Sequence, residues 1–296
     1  MATLNEWIEG ARPRTLPAAV APVVIGTGAA FAAGQASAAA ALLALLVALA
    51  LQVGANYAND YSDGVRGTDE RRVGPVRLVG QGLAKPADVK AAAYVCFAFA
   101  GMCGLGLAAL ANTFWILVLG AAAIAAAWFY TGGKKPYGYQ GLGELFVFVF
   151  FGLVAVLGTQ FTQALRLTGG AWFAAIGVGF LSCAILMINN IRDIPGDWAV
   201  GKKTFAVWLG DKAARGTYYI YVGAALVATV VAGLFHRGAL AGVLAFVLAV
   251  PPILTTRRGA KGSDLIPVLA QTGRLTLVYG LLTGLGMAVL PQPLFG

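Results

Sequence analysis

The segment Asn56-Tyr57-Ala58-Asn59-Asp60-Tyr61-Ser62-Asp63 closes a run without charged residues that extends from residue 15 to residue 59. A membrane-spanning helix needs about 20 consecutive apolar residues, so this run is long enough for two spans. Residues 91–133 form a second such run, and five further apolar runs hold one span each: 145–165, 167–191, 216–235, 238–256 and 275–296. The sequence therefore predicts an all-α polytopic membrane protein, a bundle of about nine transmembrane helices in a single domain, 1–296.

The composition agrees with a membrane protein. Of the 296 residues 59% are hydrophobic and 11% are charged, whereas about 25% are charged in soluble domains. The net charge of +9 is typical of cytoplasmic loops that face anionic lipid headgroups. We therefore expect membrane lipid as a partner and no nucleic acid. The single histidine, His236, argues against chemistry that depends on several imidazoles.

The placement of Lys and Arg residues predicts the orientation. With nine crossings, all of the 21 Lys and Arg residues except Arg166 and Arg237 fall on the side of the N-terminus. Because positive charges are enriched on the cytoplasmic side, we expect a cytoplasmic N-terminus and a C-terminus outside the cell membrane. The two longest predicted loops, about 64–85 and 194–214, are then cytoplasmic. Each contains Gly, an acid and several basic residues, as a cap loop over a polar site would.

Two acidic clusters precede those loops. Spacings of three and four residues place each of the trios Asn56, Asp60, Asp63 and Asn189, Asp193, Asp197 on one helix face. A carboxylate at the edge of the hydrocarbon layer is costly, so such residues are functional candidates. Oxygen ligands suit Mg²⁺, which prefers a few carboxylates together with water and substrate phosphates. The sequence thus predicts an Mg²⁺–diphosphate site facing the cytoplasm, flanked by the basic residues Arg72, Arg77, Lys202 and Lys203.

These motifs resemble those of the UbiA superfamily of intramembrane prenyltransferases. The resemblance runs from Arg12-Pro13-Arg14-Thr15-Leu16 through the last span and includes the stretch from Gly201 to Gly210. Within the superfamily the chain most resembles the branch that prenylates 1,4-dihydroxy-2-naphthoate in menaquinone biosynthesis. That similarity rests on Gly67-Thr68-Asp69, on the stretch from Arg72 to Val79, and on Tyr130-Thr131 leading to Tyr139-Gln140-Gly141-Leu142-Gly143-Glu144.

The resemblance implies roles for individual residues. Asn56, Asp60 and Asp63 match the first diphosphate–Mg²⁺ motif, and Asn189, Asp193 and Asp197 match the second. All six are thus implied to bind the metal or the diphosphate, with the four aspartates as catalytic residues. The general family pattern has its last acid one residue later, at the position of Gly64, so either Asp63 or Asp69 completes the first metal site. Lys202 matches a diphosphate-binding lysine, and Arg12 matches an N-terminal Arg-Pro element. The remaining candidates for substrate binding are Arg72, Arg77, Tyr130, Lys135, Tyr139 and Glu144.

The implied reaction is the Mg²⁺-assisted ionisation of a polyprenyl diphosphate. The allylic cation would attack the ring of 1,4-dihydroxy-2-naphthoate, with loss of CO₂ and pyrophosphate, to give demethylmenaquinol. Aromatic side chains near the predicted site would stabilise the cation.

Two alternatives remain open on the residues alone. A secondary transporter would also have polytopic helices and intramembrane carboxylates, but its coupling site is expected near the middle of the membrane rather than beneath loops at one face. A prenyltransferase with another acceptor, such as 4-hydroxybenzoate, haem, a chlorophyllide or a sugar phosphate, would need the same diphosphate site.

Overall fold

The computed structural model describes residues 2–68 and 76–290, and within these ranges the regular structure is entirely helical. Seven helical units in them are long and apolar enough to cross a membrane. An eighth is a bent pair, Leu4–Thr15 and Pro17–Ala32, with an angle of 52° between its halves, and Ile116–Phe129 is a shorter apolar helix. Each of the nine predicted membrane segments corresponds to one of these units, so the predicted polytopic all-α fold is confirmed.

The first four helices bring the N-terminal segment against the first acidic motif. Helix α1 (Leu4–Gly10) begins with a capping box between Thr3 and Glu6, and a 3₁₀ turn leads to α2 (Pro17–Ala32). Helix α3 (Ala38–Val65) carries the first motif on its last turns, and α4 (Pro86–Leu110) returns beside it. Proline at the first position of α2 and α4 costs no hydrogen bond, because the first N–H groups of a helix have no partner within it.

The next segments form one wall of the bundle. Helix α5 (Ile116–Phe129) is followed by α6 (Gly143–Val147), which continues through a π-helical stretch, Phe148–Val154, into α7 (Ala155–Ala164). Helix α8 (Gly169–Ala199) carries the second acidic motif and is the most buried span. It packs most extensively against α9 (Phe205–Phe235), which bends at Gly210.

The last segments complete the bundle around α8. A 3₁₀ helix, Arg237–Ala249, leads into α10 (Val250–Arg257), and α11 (Leu265–Val289) closes the described chain. Helix α11 packs against α2, where the backbones approach closely: a Cβ atom added to Gly28 would lie only 2.0 Å from the backbone oxygen of Gly284. Glycine is required for this approach, as is usual where membrane helices pack tightly.

Two boundaries differ from the sequence prediction. The second predicted cap loop, 194–214, is largely helical, because α8 extends to Ala199 and α9 begins at Phe205. With 31 residues, α8 is about 46 Å long, longer than the hydrocarbon layer of about 30 Å. Charged residues that suggested a loop therefore occupy extra helical turns. Similarly, α11 begins at Leu265 rather than near residue 275, so Arg274 lies within that helix.

Candidate active site

An elongated cavity of about 1240 Å³ lies inside the bundle and joins the two acidic motifs to its apolar interior. Asn56 and Asp63 from α3, Asn189 from α8 and Lys202 line one end. Aromatic residues from the opposite helix ends, Trp115, Phe161 and Trp172, also line it. The cavity therefore has a long apolar interior and a polar end. We call this end, lined by Asn56, Asp63, Asn189 and Lys202, the polar mouth.

Lys202 joins the two motifs at the polar mouth. Its Nζ lies 3.5 Å from Asp63 Oδ2 and 3.8 Å from Asp197 Oδ1, and all three side chains are buried. Burying charges is costly unless they are paired, so Lys202 compensates the two carboxylates and they compensate it. One carboxylate from each motif is therefore paired with the same ammonium group, that of Lys202.

Tyr139 connects the loop between α5 and α6 to this cluster. Its hydroxyl donates a hydrogen bond of 2.7 Å to Asp63 Oδ1, and its carbonyl accepts one of 3.2 Å from the backbone N–H of Lys203. The cationic groups of Lys202 and Arg66 lie 4.8 and 5.5 Å from the centre of its ring. Burial, followed by the neighbouring Asp63 carboxylate, raises the pKa of Tyr139, so it remains a protonated donor at neutral pH.

We expect Tyr139→Phe to lower kcat/KM by about tenfold or more, since a hydrogen bond to a charged group contributes about 1.5–3 kcal/mol. The ring and its contacts with the two cations are retained, so the loss isolates the hydroxyl that orients Asp63. Steady-state kinetics of the purified protein would measure it. Tyr94→Phe, on the exposed face of α4, is the matched control. Equal activity of the two variants would contradict a role for Tyr139 in orienting Asp63.

The other predicted carboxylates lie behind the cavity surface. Both oxygens of Asp60 accept backbone hydrogen bonds, 2.7 Å from Leu78 N and 3.1 Å from Val79 N, which hold the returning chain against α3. Asp193 accepts two hydrogen bonds from Arg192, of 2.9 and 2.8 Å. Asp63 lines the cavity, whereas Asp60, Asp193 and Asp197 do not.

Asn56 and Arg12 bring the N-terminal segment to the polar mouth. Asn56 Nδ2 donates hydrogen bonds of 2.8 Å to the carbonyl of Ala11 and 3.2 Å to Thr15 Oγ1. Gln52, one turn earlier on α3, donates 3.0 Å to the same hydroxyl. Arg12 lines the cavity and adopts a left-handed backbone conformation with φ of 55°. Gln52 was not predicted, although its spacing of four residues from Asn56 within an apolar run is a usable signal.

The remaining candidates occupy different places. Arg77 and Tyr130 both line the cavity. Arg77 is buried, and Glu144 is buried on the first turn of α6. Lys135 does not lie where we expected it: its side chain is exposed and outside the cavity lining. An exposed position spares its ammonium group the cost of desolvation. Arg72 and Asp69 lie outside the described residues.

Aromatic rings form part of the cavity wall next to the polar mouth. Tyr137 stacks on Phe146 with ring centres 4.0 Å apart, and Tyr130 meets Tyr137 edge-on at 5.5 Å. All three rings line the cavity. Because aromatic faces attract cations, this wall suits an electron-poor organic group that is kept away from water.

The carboxylate and amide oxygens at the polar mouth are suitable ligands for Mg²⁺. In the described part of the chain, no three His, Cys, Asp or Glu residues lie close enough together to hold a metal. Mg²⁺ does not need such a cage, because one or two carboxylates with water and phosphate oxygens complete its coordination. The carboxylates of Asp63 and Asp197 both lie within 4 Å of Lys202 Nζ. Asn56 and Asn189 line the cavity at the same polar mouth.

Comparisons with known proteins agree with this architecture. Residues 19–265 match the UbiA prenyltransferase family. The chain is 53% identical over 281 residues to the 1,4-dihydroxy-2-naphthoate octaprenyltransferase of Mycobacterium tuberculosis, covering 95% of this chain and 96% of that one. It is 38% identical over 291 residues to the Escherichia coli protein of the same name, covering 95% and 94%.

The fold is likewise similar to that of a UbiA homologue from Archaeoglobus fulgidus bound to GPP and Mg²⁺, with a TM-score of 0.69 at 15% identity, over 93% of this chain and 98% of that chain. On the evidence of both the family match and its extended sequence similarity, the chain belongs to the UbiA prenyltransferase family.

Proposed function

We propose that this protein transfers a polyprenyl chain from polyprenyl diphosphate to 1,4-dihydroxy-2-naphthoate, with loss of CO₂ and pyrophosphate, to give demethylmenaquinol. The observation that carries the proposal is the polar mouth, where Lys202 joins Asp63 to Asp197 at the end of a long apolar cavity. The extended similarity to naphthoate octaprenyltransferases supports the choice of acceptor.

The polar mouth would bind the diphosphate. Lys202, Arg12 and Arg77 line it and would offset the negative charge of the substrate. Mg²⁺ would be held by oxygens of the two motifs: Asp60, Asp63, Asp193, Asp197, Asn56 and Asn189, with Asp69 as the further candidate for the first site. Asp60 and Asp193 accept hydrogen bonds from protein groups at both oxygens, so each would have to release one of them to bind the metal. The metal would stabilise the charge that develops on the departing diphosphate.

The apolar interior would hold the prenyl chain and protect the reacting carbon. The rings of Tyr130, Tyr137 and Phe146 lie along the wall beside the polar mouth, where the allylic cation would form. They would stabilise that cation through their faces, and the apolar lining would exclude water that would otherwise capture it. The rest of the prenyl chain would extend along the cavity towards Trp115 and Phe161, which also line it.

The acceptor can be tested directly. Two fused rings bury more apolar surface than one, at about 25 cal/mol per Å², so we expect the purified protein to prenylate 1,4-dihydroxy-2-naphthoate much faster than 4-hydroxybenzoate. Both acceptors should be assayed with the same polyprenyl diphosphate, detergent and Mg²⁺ concentration. If 4-hydroxybenzoate reacted faster, the family assignment would stand and the proposed acceptor would be wrong.

We also propose that the polar mouth faces the cytoplasm, beneath a cap formed by residues 64–85 and 194–214 of the single domain. The asymmetry of Lys and Arg residues supports this orientation. Single cysteines introduced at Lys134 and at Gln35, both exposed, would be labelled in intact cells with a reagent that does not cross the membrane. We expect labelling only of the cysteine at position 35. Labelling only of the cysteine at position 134 would show that the protein has the opposite orientation.

A further inference from the structure

A buried pair of polar side chains bridges α6 and α8 beside the cavity. Glu144 is 6% exposed and Asn190 is 5% exposed. Asn190 Nδ2 donates a hydrogen bond of 3.1 Å to Glu144 Oε1. The same contact between helices includes Cys183, whose Sγ lies 3.2 Å from the backbone oxygen of Glu144. The hydrogen bond satisfies Glu144 Oε1, while Glu144 Oε2 is buried and has no hydrogen-bond partner among the described residues.

The pairing fixes which end of the Asn190 amide faces the cavity. An amide has a donor nitrogen and an acceptor oxygen, whereas a carboxylate accepts. With its nitrogen directed to Glu144, Asn190 keeps its oxygen for another partner, and no residue in the described ranges donates a hydrogen bond to it. Since Asn190 lines the cavity, its oxygen is available there as a hydrogen-bond acceptor.

One aromatic and one aliphatic side chain lie close to this pair. A Cβ atom added to Gly143, next to Glu144, would lie 3.2 Å from Tyr130 Cε2 and 3.3 Å from Leu186 Cδ2. Tyr130 and Leu186 therefore both approach the backbone next to Glu144, and both line the cavity. The neighbouring residue on α8, Asn189, belongs to the polar mouth. A ring bound at Asn190 would thus lie next to the reacting end of the prenyl diphosphate.

We infer that Asn190 Oδ1 accepts a hydrogen bond from a ring hydroxyl of the aromatic acceptor, and that Glu144 is a positioning residue that holds the amide in this orientation. The inference rests on the proposed function. A hydroxyl is the matching group, because it donates a hydrogen bond. The carboxylate of the acceptor would be repelled by both Asn190 Oδ1 and Glu144, so it must point away from this wall.

The test combines protein variants with acceptors that lack one hydroxyl. Dissociation constants would be measured for 1,4-dihydroxy-2-naphthoate, 1-hydroxy-2-naphthoate and 4-hydroxy-2-naphthoate without prenyl diphosphate, so that no reaction interferes. We expect the wild-type protein to prefer the dihydroxy compound by about tenfold over one of the two analogues, the scale of one hydrogen bond. Asn190→Leu should reduce that preference to about twofold or less, with the KM for polyprenyl diphosphate unchanged.

Two further variants complete the test. Glu144→Gln retains the side-chain volume but presents both a donor and an acceptor to the amide of Asn190. Asn190 is then no longer held in one orientation, so the preference for the dihydroxy compound should fall. Cys183→Ala, at the same helix contact but outside the cavity lining, should retain it. A full wild-type preference in Asn190→Leu, or in Glu144→Gln where the leucine variant does not fold, would overturn the inference. Failure of the wild-type protein to prenylate the dihydroxy compound would instead refute the proposed function.

Discussion

Replacing Asp197 or Asp63 with alanine is expected to lower kcat for prenyl transfer by about 10³-fold or more. That factor corresponds to about 4 kcal/mol, the scale of losing one strong electrostatic element from a site shielded from water. Each substitution removes a proposed Mg²⁺ ligand and leaves Lys202 with only one of its two carboxylates. Transfer of a labelled prenyl group under saturating substrates would measure the loss.

The matched control is Asp211→Ala. Asp211 also pairs with a basic residue, Arg215 at 2.8 Å, but it lies on α9, is half exposed and does not line the cavity. Arg215 is buried, but without Asp211 it keeps its hydrogen bonds to the carbonyl oxygens of Thr256 and Ala260. Because this pair lies outside the cavity, the variant should retain activity within about threefold. In addition, Asp63→Ala combined with Asp197→Ala should cost far less than the product of the single losses, because residues that act together are not additive. An Asp197→Ala variant with more than a tenth of wild-type activity would refute this role.

Removal of divalent cations should have an effect of similar size. With a chelator we expect prenyl transfer to fall by about 10³-fold or more, because the leaving diphosphate would lose the cation that stabilises its charge. Added Mg²⁺ should restore activity, whereas an equal ionic strength of Na⁺ should not. Binding of polyprenyl diphosphate should also weaken in the chelator, which gives a readout independent of turnover. Full activity after exhaustive chelation would rule out the proposed metal site.

The spans were predictable because each rests on a local property of the chain. Long apolar runs can be read directly from the sequence. The spacings of Asn56, Asp60 and Asp63 predicted one shared helix face, but only Asn56 and Asp63 line the cavity. The end of α8 was less predictable, since its charged residues resembled a loop. They instead occupy helical turns beyond the length that the membrane requires, and the helix continues through Pro195.

Contacts between distant segments account for what the sequence did not reveal. The ion pair between Lys202 and Asp63 joins the connection between α8 and α9 to the last turns of α3. The two residues are 139 positions apart in the sequence, so the geometry of this ion pair depends on tertiary packing. The same is true of Asn190. A second asparagine beside Asn189 in a buried helix was a visible signal, but the orientation of its amide depends on Glu144, which lies on another helix.

The most direct test of the proposed reaction follows the carboxyl carbon of the acceptor. Purified protein in lipid vesicles would receive 1,4-dihydroxy-2-naphthoate labelled in its carboxyl group, a polyprenyl diphosphate and Mg²⁺. We predict that labelled CO₂, pyrophosphate and the prenylated product form in equal amounts, and that none appears when the prenyl diphosphate or Mg²⁺ is omitted. Retention of the label in a prenylated product, or no transfer to the naphthoate at all, would contradict the proposed function.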